Sequence, residues 1–97
     1  MLSGVTITAV VPIAPTSLAV TGTGTFAVAL RWIDNATNEQ GYRIEYLPAG
    51  SSTYVYAGTV NANIVEYTVN GLTCLLGHTF RVQAIGVGAN SAYSNTV

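Results

Sequence analysis

The sequence predicts an all-β chain that folds as an antiparallel β-sandwich of seven short strands. Three observations favour this fold class. Apolar and polar side chains alternate along 26–33 with the period of two that is typical of a strand. Turn-forming residues, chiefly glycine, asparagine and proline, separate such stretches at intervals of roughly eight to twelve residues. No stretch has the apolar period of about 3.6 residues that indicates an amphipathic helix.

The stretch 26–33 is the predicted centre of the domain. Phe26, Val28, Leu30 and Trp32 share one face of this strand. Because all four are large and apolar, we expect that face to point into the core. Trp32 is the single tryptophan of the chain and offers the largest apolar surface for anchoring a core.

The other strands are placed by the same alternation. They are predicted, in chain order, at 16–21, 42–47, 53–60, 64–69, 79–85 and 91–97. The residues that the pattern assigns to the core are Leu18, Val20, Leu30, Trp32, Tyr42, Ile44, Tyr67, Leu72, Phe80 and Val82. The alternation also assigns Tyr46 to the inward side, whereas it does not decide which side Tyr54, Tyr56 and Tyr93 face. A sugar-binding platform of tyrosines is therefore less favoured than a core role for most of them.

Composition limits the function. The chain has 97 residues, which suffice for one domain, and only 7% of them are charged. It contains no lysine, and three arginines face four acids for a net charge of −1. Three scattered arginines cannot form the basic patch that nucleic acid or an anionic membrane surface requires. No run of about 18 apolar residues exists, so no membrane insertion is expected.

The N-terminal part is interpreted separately. Residues 1–13 are apolar and β-prone, and Pro12 and Pro15 then punctuate the chain. We interpret 1–13 as a linker or N-terminal extension and 14–97 as the domain. The start has no basic residue before an apolar run, so no signal peptide is expected and the chain is interpreted as a module of a longer parent. We expect 1–13 to make sheet-edge or intermolecular contacts, including self-association, the alternative being an ordinary linker.

Six short motifs within 14–97 carry a family resemblance. They are Ala14-Pro15 with Leu18 and Val20, Leu30-Arg31-Trp32, Asp34-Asn35 leading to Gly41-Tyr42-Arg43-Ile44-Glu45-Tyr46, Tyr67-Thr68-Val69 with Gly71-Leu72, Phe80-Arg81-Val82-Gln83-Ala84, and Asn90-Ser91-Ala92-Tyr93-Ser94. In this order and spacing the chain resembles a fibronectin type III domain, particularly those of bacterial secreted and surface proteins.

The resemblance implies an immunoglobulin-like sandwich in which the first, second and fifth strands form one sheet and the other four strands form the second. It also implies a spacer or recognition module without catalysis. The chain departs from the family pattern before the sixth strand, where Cys74 replaces a proline and His78 replaces the tyrosine of the tyrosine corner. We expect His78 to be a hydrogen-bonded structural residue. Cys74 cannot form an internal disulfide and is expected to be a small buried hydrophobe.

Charged residues on the strands predict two ion pairs. Within the implied sheets, Arg31 and Glu66 point outward on one sheet, and Glu45 and Arg81 point outward on the other. We expect a cross-strand pair on each sheet, of the exposed kind that contributes about 0.2–1 kcal/mol.

No catalytic, cofactor or metal site is predicted. A hydrolase needs a nucleophile with a base or two carboxylates across a cleft, and a metal site needs several ligands at workable spacing. Asp34 and Glu39, with Asn35 and Asn38, form a candidate oxygen cluster for calcium. We favour instead a loop whose polar side chains bond to its own backbone.

Two functions remain. The first is a non-catalytic spacer or interaction module of a larger extracellular or cell-surface protein, with neighbouring domains as its partners. The alternative is recognition of a protein or a glycan, such as a polysaccharide ligand, through the loops 34–40, 61–63 and 86–90. We expect these loops to cluster at one end of the sandwich. Their candidate binding residues are Asp34, Asn35, Asn38, Glu39, Asn61, Asn63, Val87 and Asn90.

Overall fold

The computed structural model describes residues 11–24, 26–72 and 78–97. In these residues the chain forms six strands and no helix. The strands are β1 (Thr16–Thr23), β2 (Val28–Ile33), β3 (Gly41–Leu47), β4 (Val55–Asn61), β5 (Glu66–Val69) and β6 (Thr79–Ile85). They form two antiparallel sheets with the orders β1-β2-β5 and β4-β3-β6. The all-β sandwich and its division of strands between sheets are confirmed. Within the described ranges, no helix is long and apolar enough to cross a membrane.

The core lies between the two sheets and is centred on Trp32 of β2. Its indole ring meets the ring of Tyr42 from β3 of the opposite sheet, with 5.5 Å between the ring centroids. The indole Nε1–H has no acceptor among the described residues, so the ring contributes through apolar contact. Eight of the ten residues assigned to the core by the sequence are buried, namely Leu18, Leu30, Trp32, Tyr42, Ile44, Leu72, Phe80 and Val82.

Two apolar positions expected to face the core are exposed. Val20 lies opposite Leu30 on β2, yet 43% of it is exposed. It belongs to β1, an edge strand of its sheet whose pairing with β2 shifts register directly after Val20. The predicted second strand begins too early, because β2 starts at Val28 and Phe26 lies in the preceding turn with 59% of its surface exposed.

Tyr67 closes one side of the sandwich. It extends from β5 across to β4, where its hydroxyl donates to the carbonyl oxygen of Ala57 at 3.2 Å. Its ring lies directly over Gly58, so closely that a Cβ atom at Gly58 would stand 2.5 Å from Tyr67 Cζ. Tyr67 is therefore half-buried and packed against the core rather than fully enclosed by it.

The predicted seventh strand at 91–97 is wrong. The segment lies beside β6 and makes one isolated bridge there, between Gln83 and Tyr93. Two serines replace the regular ladder. Ser91 donates its backbone N–H to the Ala84 carbonyl at 2.9 Å and accepts the Ala84 N–H on its hydroxyl at 2.8 Å. Ser94 likewise donates its backbone N–H to the Val82 carbonyl at 2.7 Å and accepts the Val82 N–H on its hydroxyl at 3.0 Å. Each serine completes both backbone groups of one β6 residue, and Val97 and Phe80 exchange backbone hydrogen bonds at 2.9 and 3.2 Å. The segment thus follows β6 with one isolated bridge and no continuous strand.

A side chain of the same segment also holds β1. The pairing of β1 with β2 is irregular between Thr16 and Ala19, and Ser17 has a φ of 54°. At this irregularity the amide of Asn95 accepts from the backbone N–H of Leu18 at 2.8 Å and donates to the Leu18 carbonyl at 3.0 Å. The Asn95 amide thus supplies backbone hydrogen bonds that a regular neighbouring strand would otherwise provide.

The Gly58–Tyr67 contact gives a stability prediction. We expect Gly58→Ala to lower the free energy of unfolding by about 1–3 kcal/mol, because the new methyl group displaces the Tyr67 ring. Gly22→Ala is the matched control, since its Cβ would stand at an ordinary 3.9 Å from the Ala29 Cβ. Urea unfolding of both variants measures the difference. Equal stability of the two variants would contradict the tight packing of Tyr67.

Candidate functional site

Three loops meet at one end of the sandwich, which we call the loop end: 34–40, 61–63 and 86–90. They converge because Gly41 of β3 pairs with Asn61 of β4 on one side and with Ile85 of β6 on the other. Direct bonds join them. Glu39 accepts from the backbone N–H of Asn63 at 3.2 Å, and the N–H of Gln40 donates to the Ile85 carbonyl at 2.7 Å.

A buried hydrogen-bond network organises the first of these loops. Asp34 Oδ1 accepts a hydrogen bond from the Tyr42 hydroxyl. It also accepts the backbone N–H of Ala36 at 3.0 Å, and this second bond closes an Asx turn. Glu39 Oε2 lies 3.4 Å from the same hydroxyl. Burial alone would raise the pKa of Asp34, but its hydrogen bonds, first that from Tyr42, outweigh burial and lower it. Burial and the neighbouring Asp34 carboxylate raise the pKa of Tyr42.

Other candidate binding residues at the loop end are also engaged within the domain. Asn35 donates to the Ala14 carbonyl at 3.1 Å and to the Thr16 hydroxyl at 2.9 Å. Asn90 donates to Gln83 at 3.4 Å. Val87 is open, with 68% of its surface exposed. Asn38, Asn61 and Asn63 are exposed as well.

Asp34 and Glu39 are the two carboxylates of the first loop, and both accept hydrogen bonds from groups of the domain. Within the described ranges, no three His, Cys, Asp or Glu side chains form a group that could hold a metal ion. Asp34 bonds to the backbone of its own loop, whereas Glu39 bonds to Asn63 of another loop and Asn35 to Ala14 and Thr16.

The segment before β1 packs against the same end. Pro12 is buried, and a Cβ at Gly86 would stand only 2.7 Å from the Pro12 Cδ. Together with the bonds from Asn35 to Ala14 and Thr16, this contact fixes the chain entry to the loops. Residues 1–10 lie outside the described residues, so the expected edge or intermolecular contacts of 1–13 stay a prediction.

His78 makes aromatic contacts where the family resemblance places a tyrosine. Its ring lies 5.8 Å from Tyr46 and 6.4 Å from Phe80, centroid to centroid. These contacts give His78 a packing role at the start of β6. Cys74 lies outside the described residues.

The outer side of the β4-β3-β6 sheet carries a second cluster, which we call the tyrosine–arginine face. It consists of Arg43, Glu45, Tyr54, Tyr56, Arg81 and Tyr93. The Arg81 guanidinium lies 3.6 Å from the ring centroids of both Tyr54 and Tyr93, and the Arg43 guanidinium lies 4.5 Å from that of Tyr56. Such cation–π contacts hold aromatic rings and guanidinium groups in fixed positions.

Glu45 lies at the centre of this face and is only 7% exposed. Its Oε1 pairs with Arg81 Nη2 at 2.7 Å, and its Oε2 pairs with Arg43 Nε at 2.8 Å. Burial alone would raise the pKa of Glu45, but the hydrogen bonds from Arg43 and Arg81 lower it overall. Burial and the Glu45 charge raise the pKa of Tyr93.

The predicted ion pairs have different outcomes. The pair between Glu45 and Arg81 is confirmed, although it is more buried than expected and includes Arg43 as a third partner. Arg31 and Glu66 do lie opposite each other in register. Among the described residues, however, Arg31 and Glu66 form no ion pair within 4 Å. Both side chains are exposed, and water then competes effectively with a weak ion pair.

Sequence reasoning did not find the tyrosine–arginine face. The signal was partly present, because Arg43, Glu45 and Arg81 all occupy outward positions of their strands. What was missing was the register, which places Tyr56 and Arg81 on either side of Glu45.

A family model described as the fibronectin type III domain matches residues 13–97. The chain belongs to this family. No curated protein sequence matches it at a significant level. Fibronectin type III modules are generally non-catalytic, and the geometry of both surfaces is compatible with a structural or interaction role.

Solved structures share the fold of this fibronectin type III chain. It aligns with domains A168-A170 from titin at a TM-score of 0.73 and 24% identity, over 92% of this chain and 32% of that one. It aligns with the FN1-FN3 domains of chicken CNTN1 at a TM-score of 0.77 and 22% identity, over 88% of this chain and 31% of that one. It aligns with the twitchin kinase region from C. elegans at a TM-score of 0.77 and 20% identity, over 89% of this chain and 16% of that one. The chain thus spans a third or less of each of these three structures.

The Glu45 network predicts a pH-dependent stability. Because the pKa of folded Glu45 lies below its ordinary value of 4.5, the network stabilises the fold above that value and is lost as pH falls through the folded pKa. We expect Glu45→Gln to lower the free energy of unfolding at pH 7 by about 1–3 kcal/mol, through loss of charged hydrogen bonds. The difference from the unmodified chain should shrink towards pH 3.

Glu66→Gln is the matched control for Glu45→Gln, because it removes one carboxylate from the outer side of the other sheet. We expect the difference in melting temperature between Glu66→Gln and the unmodified chain to stay nearly the same from pH 7 to pH 3. Thermal melts at several pH values measure both variants. An equal loss of stability in the two variants would show that the Glu45 network contributes nothing specific.

Proposed function

We propose that this chain is a non-catalytic structural module that joins neighbouring domains of a larger extracellular or cell-surface protein. The observation that carries this proposal is the internal use of polar groups at the loop end. Asp34, Asn35 and Glu39 all bond to groups of the same domain. These bonds favour a stiff end that transmits position between domains over a set of open ligand-binding groups.

The fixed chain entry supports the same role. Pro12 packs on Gly86, and Asn35 binds the backbone of Ala14, so the direction in which the preceding chain leaves the domain is held by several contacts. In this proposal 1–13 is the linker and 14–97 the module, and the partners are adjacent domains. A composition rich in threonine, serine, asparagine and glycine is common in exported proteins and supports an extracellular setting.

A second candidate function is recognition of a protein or a glycan through the loops 34–40, 61–63 and 86–90. The convergence of these loops at one end of the sandwich favours it. Val87 projects from the third loop, and Asn61 and Asn63 are exposed on the second. An aliphatic side chain among polar neighbours is suited to a small contact surface.

One pair of variants separates the two functions. Val87→Asp introduces a charge at the loop end, and Ala49→Asp introduces the same charge in the exposed turn between β3 and β4 at the opposite end. Each variant and the unmodified 97-residue chain would be applied to glycan and protein arrays. For a structural module we expect the same array profile from all three proteins.

Loop recognition predicts a different result in the same measurement. A ligand bound by the unmodified chain and by Ala49→Asp, but not by Val87→Asp, would overturn the structural role in favour of binding at the loop end. Melting temperatures of the two variants serve as the folding control, because both positions are exposed.

A further inference from the structure

The tyrosine–arginine face has a different composition from the outer side of the other sheet. It holds three of the six tyrosines and two of the three arginines of the chain. Exposed positions on the β1-β2-β5 sheet include Thr21 and Thr68, with Arg31 and Glu66 as the charged residues. Tyrosine and arginine are the residue types most enriched where binding energy is concentrated. This contrast between the two outer faces favours the tyrosine–arginine face as a binding surface.

The two arginines of this face keep donors that the domain does not use. A guanidinium has five N–H donors in a planar arrangement. Arg43 donates to Glu45 through Nε, and Arg81 does so through Nε and Nη2. Among the described residues no other acceptor binds either group, and the side chains are 39% and 26% exposed. The remaining Nη–H groups are therefore open to an external acceptor, and a carboxylate matches their geometry.

The charge on this face favours an anion. Two guanidinium groups share the single carboxylate of Glu45, which leaves an excess of one positive charge. The rest of the chain carries Arg31 together with Asp34, Glu39 and Glu66, so the overall charge is −1. The tyrosine–arginine face is thus the positive side of an acidic protein.

The tyrosine rings add a second kind of contact. Tyr56 is 52% exposed and Tyr93 is 37% exposed, and each ring is held by a guanidinium group. A ring fixed in this way presents a flat apolar surface that costs little conformational entropy on binding. The C–H face of a pyranose sugar is a suitable partner for such a surface.

We infer that the tyrosine–arginine face binds a polysaccharide built from uronic acids. Its carboxylates pair with the free Nη groups of Arg43 and Arg81, and its sugar rings stack on Tyr56 and Tyr93. An acidic peptide could satisfy the guanidinium groups alone, whereas a uronic acid polymer presents a carboxylate and a flat ring face in every residue. This binding goes beyond the structural role proposed above and does not involve the loop end.

Affinity electrophoresis tests the inference. The unmodified chain would be run through native gels that contain polygalacturonate, with dextran gels as the neutral control. We expect retardation by polygalacturonate and none by dextran, and the retardation should weaken as salt is added. Arg43→Gln and Arg31→Gln remove the same charge from opposite sheets. We expect Arg43→Gln to weaken binding roughly tenfold, the effect of losing a charged hydrogen bond, and Arg31→Gln to leave it unchanged.

A second variant separates stacking from charge. Tyr56→Ala removes an exposed ring without altering charge, and we expect it also to reduce the retardation. Since this ring is exposed, Tyr56→Ala keeps the test decisive even if Arg43→Gln fails to fold, which thermal melts would reveal.

Three results would overturn the inference. The first is an absence of retardation by polygalacturonate, and the second is equal weakening by Arg31→Gln and Arg43→Gln. The third is competition by polyglutamate as strong as that by polygalacturonate, together with no effect of Tyr56→Ala, because the face would then respond to charge alone. None of these results bears on the comparison of Val87→Asp with Ala49→Asp, so the structural role and the polysaccharide site fail independently.

Discussion

The contact between Trp32 and Tyr42 is the interaction on which the rest of the structure depends. It joins the two sheets at the centre of the core, with 5.5 Å between the ring centroids. Tyr42 also extends beyond the core, because its hydroxyl donates to Asp34 and lies near Glu39. Glu39 in turn binds the backbone of Asn63. The packing of one aromatic pair therefore fixes the core and positions the loops 34–40 and 61–63 relative to each other.

Side chains rather than backbone ladders complete the periphery of the sandwich. Ser91 and Ser94 each bind one residue of β6 through both a hydroxyl and a backbone N–H. Asn95 binds both backbone groups of Leu18 on the opposite sheet. Tyr93 of the same segment packs on Arg81. The last residues of the chain thus connect the two sheets and complete the tyrosine–arginine face, although they form no regular strand.

The sequence was sufficient to predict most of the fold. The alternation along β2, β3 and β6 is strong because apolar residues occupy the inward positions, as Leu30 and Trp32 do in β2. Alternation predicts which side of a strand a residue faces, but it does not predict how well that side is covered. Val20 has the inward phase and is still exposed, at the end of an edge strand's regular pairing, where the register with β2 shifts. At 91–97 the pattern suggested a strand, whereas serine and asparagine side chains compete for the backbone groups that a strand would use.

The surfaces were less predictable than the core. Asp34 is a typical turn residue, and its local bond to Ala36 followed from residue type, whereas the bonds of Asn35 to Ala14 and Thr16 span about twenty residues of sequence. The tyrosine–arginine face depends on register across three strands and on the position of Tyr93, neither of which is visible in a local pattern. Arg31 and Glu66 show the converse case, since their register was predicted correctly and yet no ion pair forms between these exposed side chains. Register places side chains near each other, and burial decides whether they bind.

The fluorescence of Trp32 reports directly on the packing between the sheets, because Trp32 is the only tryptophan of the chain. Since its indole is enclosed between the sheets against Tyr42, we expect a blue-shifted emission that is protected from iodide and acrylamide quenching. On addition of urea the emission should shift to the red in a single transition that coincides with loss of the far-UV circular dichroism signal. A red-shifted, freely quenched emission from the native chain would contradict the burial of Trp32 between the sheets.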